Sequence, residues 1–425
     1  MLELGAPVLE LGALRVELAL SPLRIDVRRG GRRLLRGVGV WACEGEVRDR
    51  FVQVTEGVIA DERLGFPERP VAATADANVR GVGPLLPHDG RSRPRVELAL
   101  RLQGGRRATL TIELVDDEHL VLEFDAEGEP LRLTFEWDAR AEERFAGLGA
   151  HHALRVDHAG HEVQLGAGRA YTGPHCPPDL LALGGIPQGD YAPAPFLQSS
   201  RGYALWCETY GNGTRFELDE PTRVSTRAAA GPLRLHVLTD PTPAARLRRY
   251  LRLTGLPALL PAWGYGFWKS RDVYEHRDDA EEDVHGCRWH GIPLDAIVLD
   301  SPWETQYNTW EPNPHQFPDF AGMVGRWRAM GVRTVVWVTP WINLESADGQ
   351  MPPDPASRAL HEAPASNYEE GREHYVRDAD GEPLVARWWM GTGSPVDFTS
   401  PAAERWWRGT TICCAISRDC VCRSR

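Results

Sequence analysis

A carboxylate that stops a buried apolar run is the first residue of this sequence that could do chemistry. In LDAIVLD the stretch 296–299 is continuously apolar, as a strand covered by helices on both faces should be, and Asp300 ends it. At the carboxyl end of a parallel strand such a carboxylate can accept hydrogen bonds from a hydroxylated ligand; it can equally cap the loop that follows. Tryptophan is the second signal, because twelve of the fifteen lie between residues 263 and 407. Trp268, Trp303, Trp310, Trp341, Trp388 and Trp389 fall beside expected strand ends. Aromatic faces there, accompanied by carboxylates and Asn343, would suit a sugar, whose ring is apolar on its faces and polar at its rim. Trp327 and Trp337 read instead as filling between strands and helices. His276, His285, His290 and His315 form no HExxH or HxH pattern, and GYGFW and GNG lack a following P-loop lysine. No metal, nucleotide or other cofactor is therefore expected.

The elements that must position these residues change character once along the chain. Up to about residue 240 the period is two: Leu110, Ile112 and Leu114 alternate with polar residues, Asp116 and Asp117 interrupt, and Leu120, Leu122 and Phe124 resume. Leu131, Leu133, Phe135 and Trp137 repeat the pattern. Many short antiparallel strands of this kind pack as an all-β sandwich. Thr242 as N-cap with Pro243 at the first helical position opens a short linking helix with Ala244, Leu247, Tyr250 and Leu251 on one face, stopped by Gly255. Strands and helices then alternate. An aromatic strand around Tyr265 to Trp268 precedes a helix with Ala280, Val284 and Cys287 on one face, and Gly286 inside it costs about 1 kcal/mol against alanine. The strand ending at Asp300, a helix marked by Met323, Trp327 and Met330, and a strand from Val332 to Val338 complete three units of a parallel sheet or barrel. A long, proline-rich connection from about Thr339 to Thr399 follows, with a candidate small strand at His374 to Arg377, then a helix opened by Ser400 and Pro401.

Composition narrows the partners. Lys plus Arg number 48 against 60 Asp plus Glu, a net charge of −12, which argues against nucleic acid or an anionic membrane as partner. No run of 18 apolar residues could span a membrane, and the first residues lack a basic segment before an apolar block, so cytoplasm is the default location. Cys43, Cys176, Cys207 and Cys287 are scattered, whereas Cys413, Cys414, Cys420 and Cys422 crowd the end in CC and CxC spacings that match no closed zinc site.

Four segments, PAWGYGFWKSRDVY, GIPLDAIVLDSPW, TWEPNPHQFPDFAGMVGRWRAMGVRTVVWVTPWI and SPVDFTSPAAERWW, resemble in order the start of the catalytic barrel of glycoside hydrolase family 31. SPLRIDV, ERFAGLG and YAPAPFLQSSRGYALW are similar to that family's N-terminal β-sandwich. The resemblance implies a galactose-mutarotase-like sandwich over residues 1–240, a linking helix over 241–255 and the first part of a (β/α)8 TIM barrel over 256–408. It implies retaining hydrolysis of α-glucosides or α-xylosides, and an α-linked oligosaccharide or glycoside as ligand. It also assigns substrate contacts: Asp300 to the hydroxyls of the sugar at the point of cleavage, Trp341 to the wall of the same pocket, Trp268, Tyr274 and Trp303 to aromatic positions after the first two strands, and Asp190 to a loop of the sandwich domain. The nucleophile and acid/base of that family stand later than SPAAERWW, where this chain reads GTTICCAISRDCVCRSR over 409–425, so a frame change, an incomplete barrel and an inactive chain are expected, with a non-catalytic carbohydrate-binding fragment as the alternative. An open barrel edge could then pair with a second copy.

Overall fold

The structure is a computed structural model and describes residues 7–51, 58–76, 93–151, 156–165, 190–209, 213–228, 231–271, 273–300, 303–305, 308–346, 367–388 and 391–410. The cysteine-rich stretch 411–425, with Ser301, Pro302 and Trp389, lies outside the described residues, as do the side chains of Asp190 and Trp388. The chain forms two compact units, Met1–Leu256 and Pro257–Arg425.

The first unit is a sandwich of two antiparallel sheets, one of nine strands and one of eight. Its strands alternate as the sequence predicts. Arg107–Asp116 and His119–Ala126 form a hairpin with Leu110 opposite Phe124, Ile112 opposite Leu122 and Leu114 opposite Leu120. Arg132–Trp137 joins the other sheet, between Arg32–Phe51 and Thr222–Arg227. The inner faces of both sheets meet in one core, where Phe124 and Phe135 touch edge to face with ring centres 6.3 Å apart. The FAGLG motif earns its glycines here: Phe145–His151 pairs with Asp190–Ser199, and a Cβ on Gly149, at φ 89°, would lie 2.1 Å from the Ala192 carbonyl oxygen.

The linking helix runs Pro243–Thr254, with the Thr242 hydroxyl accepting the Ala245 N–H at 3.2 Å and Gly255 beyond its end at φ 102°. Its packed face differs from the expected one. Ala244 and Leu247 are exposed, while Arg246 is buried and Tyr250 stacks on Phe196 with centres 4.4 Å apart. Arg249 donates to Asp240, Asp116 and Glu118 at 2.7, 2.6 and 3.2 Å, so arginine chemistry seats the helix where aliphatic contacts were expected. Behind Tyr250 the rings of Trp206, His236 and His119 stack in turn, and His119 and His236 are hydrogen-bonded at 2.9 Å.

Among the described residues the second unit holds three parallel strands in sequential order, Trp268–Arg271, Ala296–Leu299 and Arg333–Val336. The aromatic strand begins later than expected, because Ala262–Tyr265 forms a 3-10 turn. Helices Arg277–Trp289 and Phe320–Ala329 connect the strands, burying Ala280 and Val284 on one and Phe320, Met323 and Trp327 on the other. Among the described residues the first and third strands are the margins of this sheet. The connection from Thr339 to Thr399 is more structured than the sequence suggested, and the candidate strand at His374 to Arg377 is present only as isolated bridges of Tyr375 to Val396 and Arg377 to Pro383. The connection carries an antiparallel sheet, Trp341–Ser346 paired with Gly391–Pro395, which pairs in turn with Ala386–Trp388. Gly391–Pro395 reads GTGSP and gives no apolar alternation, because its packing depends on small residues: a Cβ on Gly393 would stand 2.0 Å from the Ile342 carbonyl oxygen. Helix Pro401–Thr410 closes the unit, with the Ser400 hydroxyl accepting from Ala403 N–H at 3.5 Å. No helix among the described residues is long and apolar enough to cross a membrane.

Candidate functional site

The central parallel strand ends at Leu299, whose carbonyl accepts the Trp337 N–H at 2.9 Å, and Asp300 is the next residue. The carboxylate thus stands where a parallel strand releases its chain into a loop, at the carboxyl end of the sheet, the face on which barrel enzymes build their sites. Trp341 stands farther on than expected. It does not end the third strand but opens the antiparallel strand Trp341–Ser346, four residues beyond Trp337, and is half-buried there.

What ties the two segments together is polar and buried. The Trp303 indole Nε1–H donates to the Trp337 carbonyl at 2.8 Å, and the Asn308 side-chain oxygen accepts the Asn343 N–H at 3.0 Å. The loop leaving Asp300 is thereby bonded both to the end of the third strand and to the strand that begins with Trp341. Asn343 is itself fully buried.

The other expected aromatic contacts are placed differently. Trp303 has no exposed surface and stacks on Phe320, centres 5.9 Å apart, in the core of the unit. Tyr274 is buried and its hydroxyl donates to Asp283 at 2.9 Å. Burial alone would raise the Asp283 carboxyl, but hydrogen bonds from Arg271, Tyr274 and Lys269 outweigh it and hold the group below the usual carboxylate range. Trp268 opens its strand instead of ending it, stacked on Trp263 with centres 5.5 Å apart. Its Cα pairs with Ala296, four residues before Asp300, so about 13 Å of strand separates the two positions. Trp268 and Asp300 therefore belong to opposite ends of the sheet. Asp190 opens a strand of the first unit, Asp190–Ser199. Trp327, read as core, is fully buried, with Nε1–H donating to Glu281 at 2.7 Å.

One residue beside Asp300 was missed by sequence reasoning. Glu304 is buried, and burial pushes its carboxyl up to about 8 against the opposing pull of the Trp310, Asn308 and Thr309 N–H groups. A lone glutamate between aromatic residues in PWETQYNTW was the available signal. Among the described residues no group of three or more His, Cys, Asp or Glu could hold a metal ion.

Residues 257–414 match the model of the glycosyl hydrolases family 31 TIM-barrel domain. The α-xylosidase XylQ of Lactiplantibacillus pentosus is 30% identical over 223 residues, 50% of this chain and 26% of that protein. An α-xylosidase of Emericella nidulans is 28% identical over 222 residues, with the same shares of the two chains. The lysosomal α-glucosidase of Mus musculus is 28% identical over 177 residues, 41% of this chain and 17% of that protein. The matched stretch is thus about a quarter or less of each of these relatives. In architecture the chain is similar to a family 31 sulfoquinovosidase from E. rectale, with a TM-score of 0.64 at 16% identity, covering 94% of this chain and 57% of the other. It is also similar to a family 31 α-xylosidase from a soil metagenome complexed with xylose, with a TM-score of 0.52 at 15% identity, covering 97% and 55%. Over residues 257–414, which include its parallel strands, the chain is thus similar in sequence to the TIM-barrel domain of glycosyl hydrolases family 31.

Proposed function

We propose that the second unit carries the sugar-holding part of an α-glycosidase site, with Asp300 accepting hydroxyls of the ring and Trp341 offering it an apolar face. The observation that carries this reading is the position of Asp300 one residue beyond the central parallel strand, at the carboxyl end of the sheet. Trp303 and Tyr274 serve this site from behind, as packed supports. An α-xyloside is the first substrate class to test and an α-glucoside the second, since the α-xylosidases align over 222 and 223 residues and the mouse α-glucosidase over 177.

In our reading these 425 residues bind the sugar without cleaving it. Retaining hydrolysis needs two carboxyl groups about 5 to 5.5 Å apart across the sugar, one as nucleophile and one as acid and base. Among the described residues several carboxylates of the second unit are engaged in structural contacts. Asp283 is held by Arg271 and Tyr274, Glu281 by Arg326 and Trp327, Asp319 by Arg326, Glu404 by Arg408 and Asp397 by Thr399. The test is release of chromophore from aryl α-xylosides and aryl α-glucosides by the purified chain and by Asp300→Asn. The expected result is no turnover above a mock purification for either protein. Saturable turnover by the unaltered chain that disappears in Asp300→Asn would overturn the reading and give Asp300 a catalytic role.

A further inference from the structure

The loop that leaves Asp300 is folded around a buried side chain. Glu304 is 2% exposed, its Oε2 accepts the Trp310 N–H at 2.7 Å, and the N–H groups of Asn308 and Thr309 also act on its carboxyl. The backbone closes about the same residue. Glu304 bridges Pro312, the Thr305 N–H donates to the Glu311 carbonyl at 2.8 Å, and the Asn313 N–H donates to the Trp303 carbonyl at 3.0 Å. Asn308 and Trp310 take left-handed backbone angles, φ 68° and 56°, which asparagine tolerates and tryptophan rarely adopts. An acceptor buried beneath the Trp310 N–H is what such a conformation needs to persist. Two contacts then reach outward from the closed loop. Asn308 takes the Asn343 N–H on the strand that begins with Trp341, and the Trp310 ring meets Trp407 edge to face, with centres 4.7 Å apart.

We propose that Glu304 is a positioning residue, whose side chain shapes the loop leaving Asp300 so that Asn308 grips the strand of Trp341 and fixes the spacing of the two sugar-contacting groups. This rests on the reading of Asp300 and Trp341 as sugar contacts. Among the described residues the groups that act on the Glu304 carboxyl are backbone N–H groups and no charged side chain. With the carboxyl pushed up to about 8 by burial, it is an uncharged acid near neutrality, a form that glutamine copies.

The experiment compares the full chain with Glu304→Gln and Glu304→Ala by site-resolved amide hydrogen exchange and by titration with methyl α-xyloside. In Glu304→Ala the amides of Asn308, Thr309, Trp310 and Asn343 should exchange about tenfold faster, the scale of one lost hydrogen bond, while the helix Arg277–Trp289 keeps its protection. Xyloside affinity should fall by a similar factor, and Glu304→Gln should restore both. At pH 9 the unaltered chain should lose protection at these four amides relative to Glu304→Gln at the same pH. Unchanged exchange at the four amides, a uniform rise that includes the helix, or faster exchange with unaltered sugar affinity would each overturn the proposal. Should Glu304→Ala fail to fold, the comparison at pH 9 decides, and equal protection in the two remaining proteins overturns it. Absence of xyloside binding in the unaltered chain would refute the sugar reading, and with it the spacing role, whereas the exchange result separately decides whether Glu304 shapes the loop.

Discussion

Between the two sheets of the first unit the interior is mostly leucine, valine, isoleucine and a few aromatic rings, and the charged groups the unit buries are few beside them, Arg132 donating to Ser225 and the Gly213 carbonyl and Glu143 accepting from Ser199 and Tyr203. The second unit is built differently. Its largest buried side chains include Trp303, Trp310, Trp327, Tyr274 and Tyr375, and beside them lie Glu304, Asn308, Asn313, Gln316 and Asn343, polar yet buried. An aliphatic layer specifies little beyond which face points inward. A core that mixes indoles with buried amides and a carboxyl fixes individual loops, because each polar group must find its hydrogen bonds there. The contrast teaches where each unit keeps its specificity: the sandwich mainly in strand register, with buried polar anchors such as Glu143 and Arg132, the barrel segment in the loops at the carboxyl ends of its strands.

The largest effect that would break this contrast is in the aliphatic layer. Phe124→Ala removes a fully buried ring in contact with Phe135 and should cost about 3–5 kcal/mol, read as a lower urea midpoint by circular dichroism. A loss below about 1 kcal/mol would mean that the sheets repack freely and that the layer is not the source of the unit's stability.

Titration sharpens the comparison, because one buried group in each unit, His119 and Glu304, responds to pH with opposite sign. Burial, with smaller contributions from His236 and nearby arginines, lowers His119 from 6.5 to about 2, so below pH 6.5 the unfolded chain takes up a proton that the folded one refuses. Stability of the sandwich therefore falls as pH falls from 6.5. Glu304 is raised from 4.5 to about 8 by burial, so the folded chain keeps a proton that the unfolded chain releases. That contribution is full below pH 4.5 and is lost as pH rises through 8. Unfolding midpoints from pH 4.5 to 9 should show both limbs, with His119→Gln flattening the acid limb and Glu304→Gln the alkaline one. Equal slopes in the variants and the unaltered chain would remove these two groups from the account.

The smallest effect is a gain. Gly286 lies inside the helix Arg277–Trp289, and a Cβ there would meet nothing within 4 Å. Gly286→Ala should stabilise the second unit by about 0.5–1 kcal/mol, measured by the same denaturant titration.

How much of this was legible depended on whether a feature has a period. Alternation at Leu110 to Phe124 predicts the hairpin and its buried face, and Thr242 with Pro243 predicts the helix start, because both follow from local geometry. The apolar run before Asp300 likewise marks a parallel strand end. The sheet Trp341–Ser346 with Gly391–Pro395 was not legible, since its pairing spans a long stretch of chain and its packing selects glycine and serine, which also mark loops. Burial of Trp303 and Tyr274 was hidden for another reason. A tryptophan beside a strand end is the same letter whether its ring faces a sugar or, as here, lies against Phe320. Glu304 has no period at all, and only the folded loop shows the three N–H groups that converge on it.

The most direct test of the central claim, that the second unit holds a sugar through Asp300, is calorimetric titration of methyl α-xyloside into the unaltered chain and into Asp300→Asn, with methyl α-glucoside run in parallel. The account predicts saturable binding to the unaltered chain, weakened about tenfold or more when one hydrogen-bonding carboxylate oxygen is replaced by an amide nitrogen. Equal binding by the two proteins, or no binding of either sugar to the unaltered chain, would contradict it.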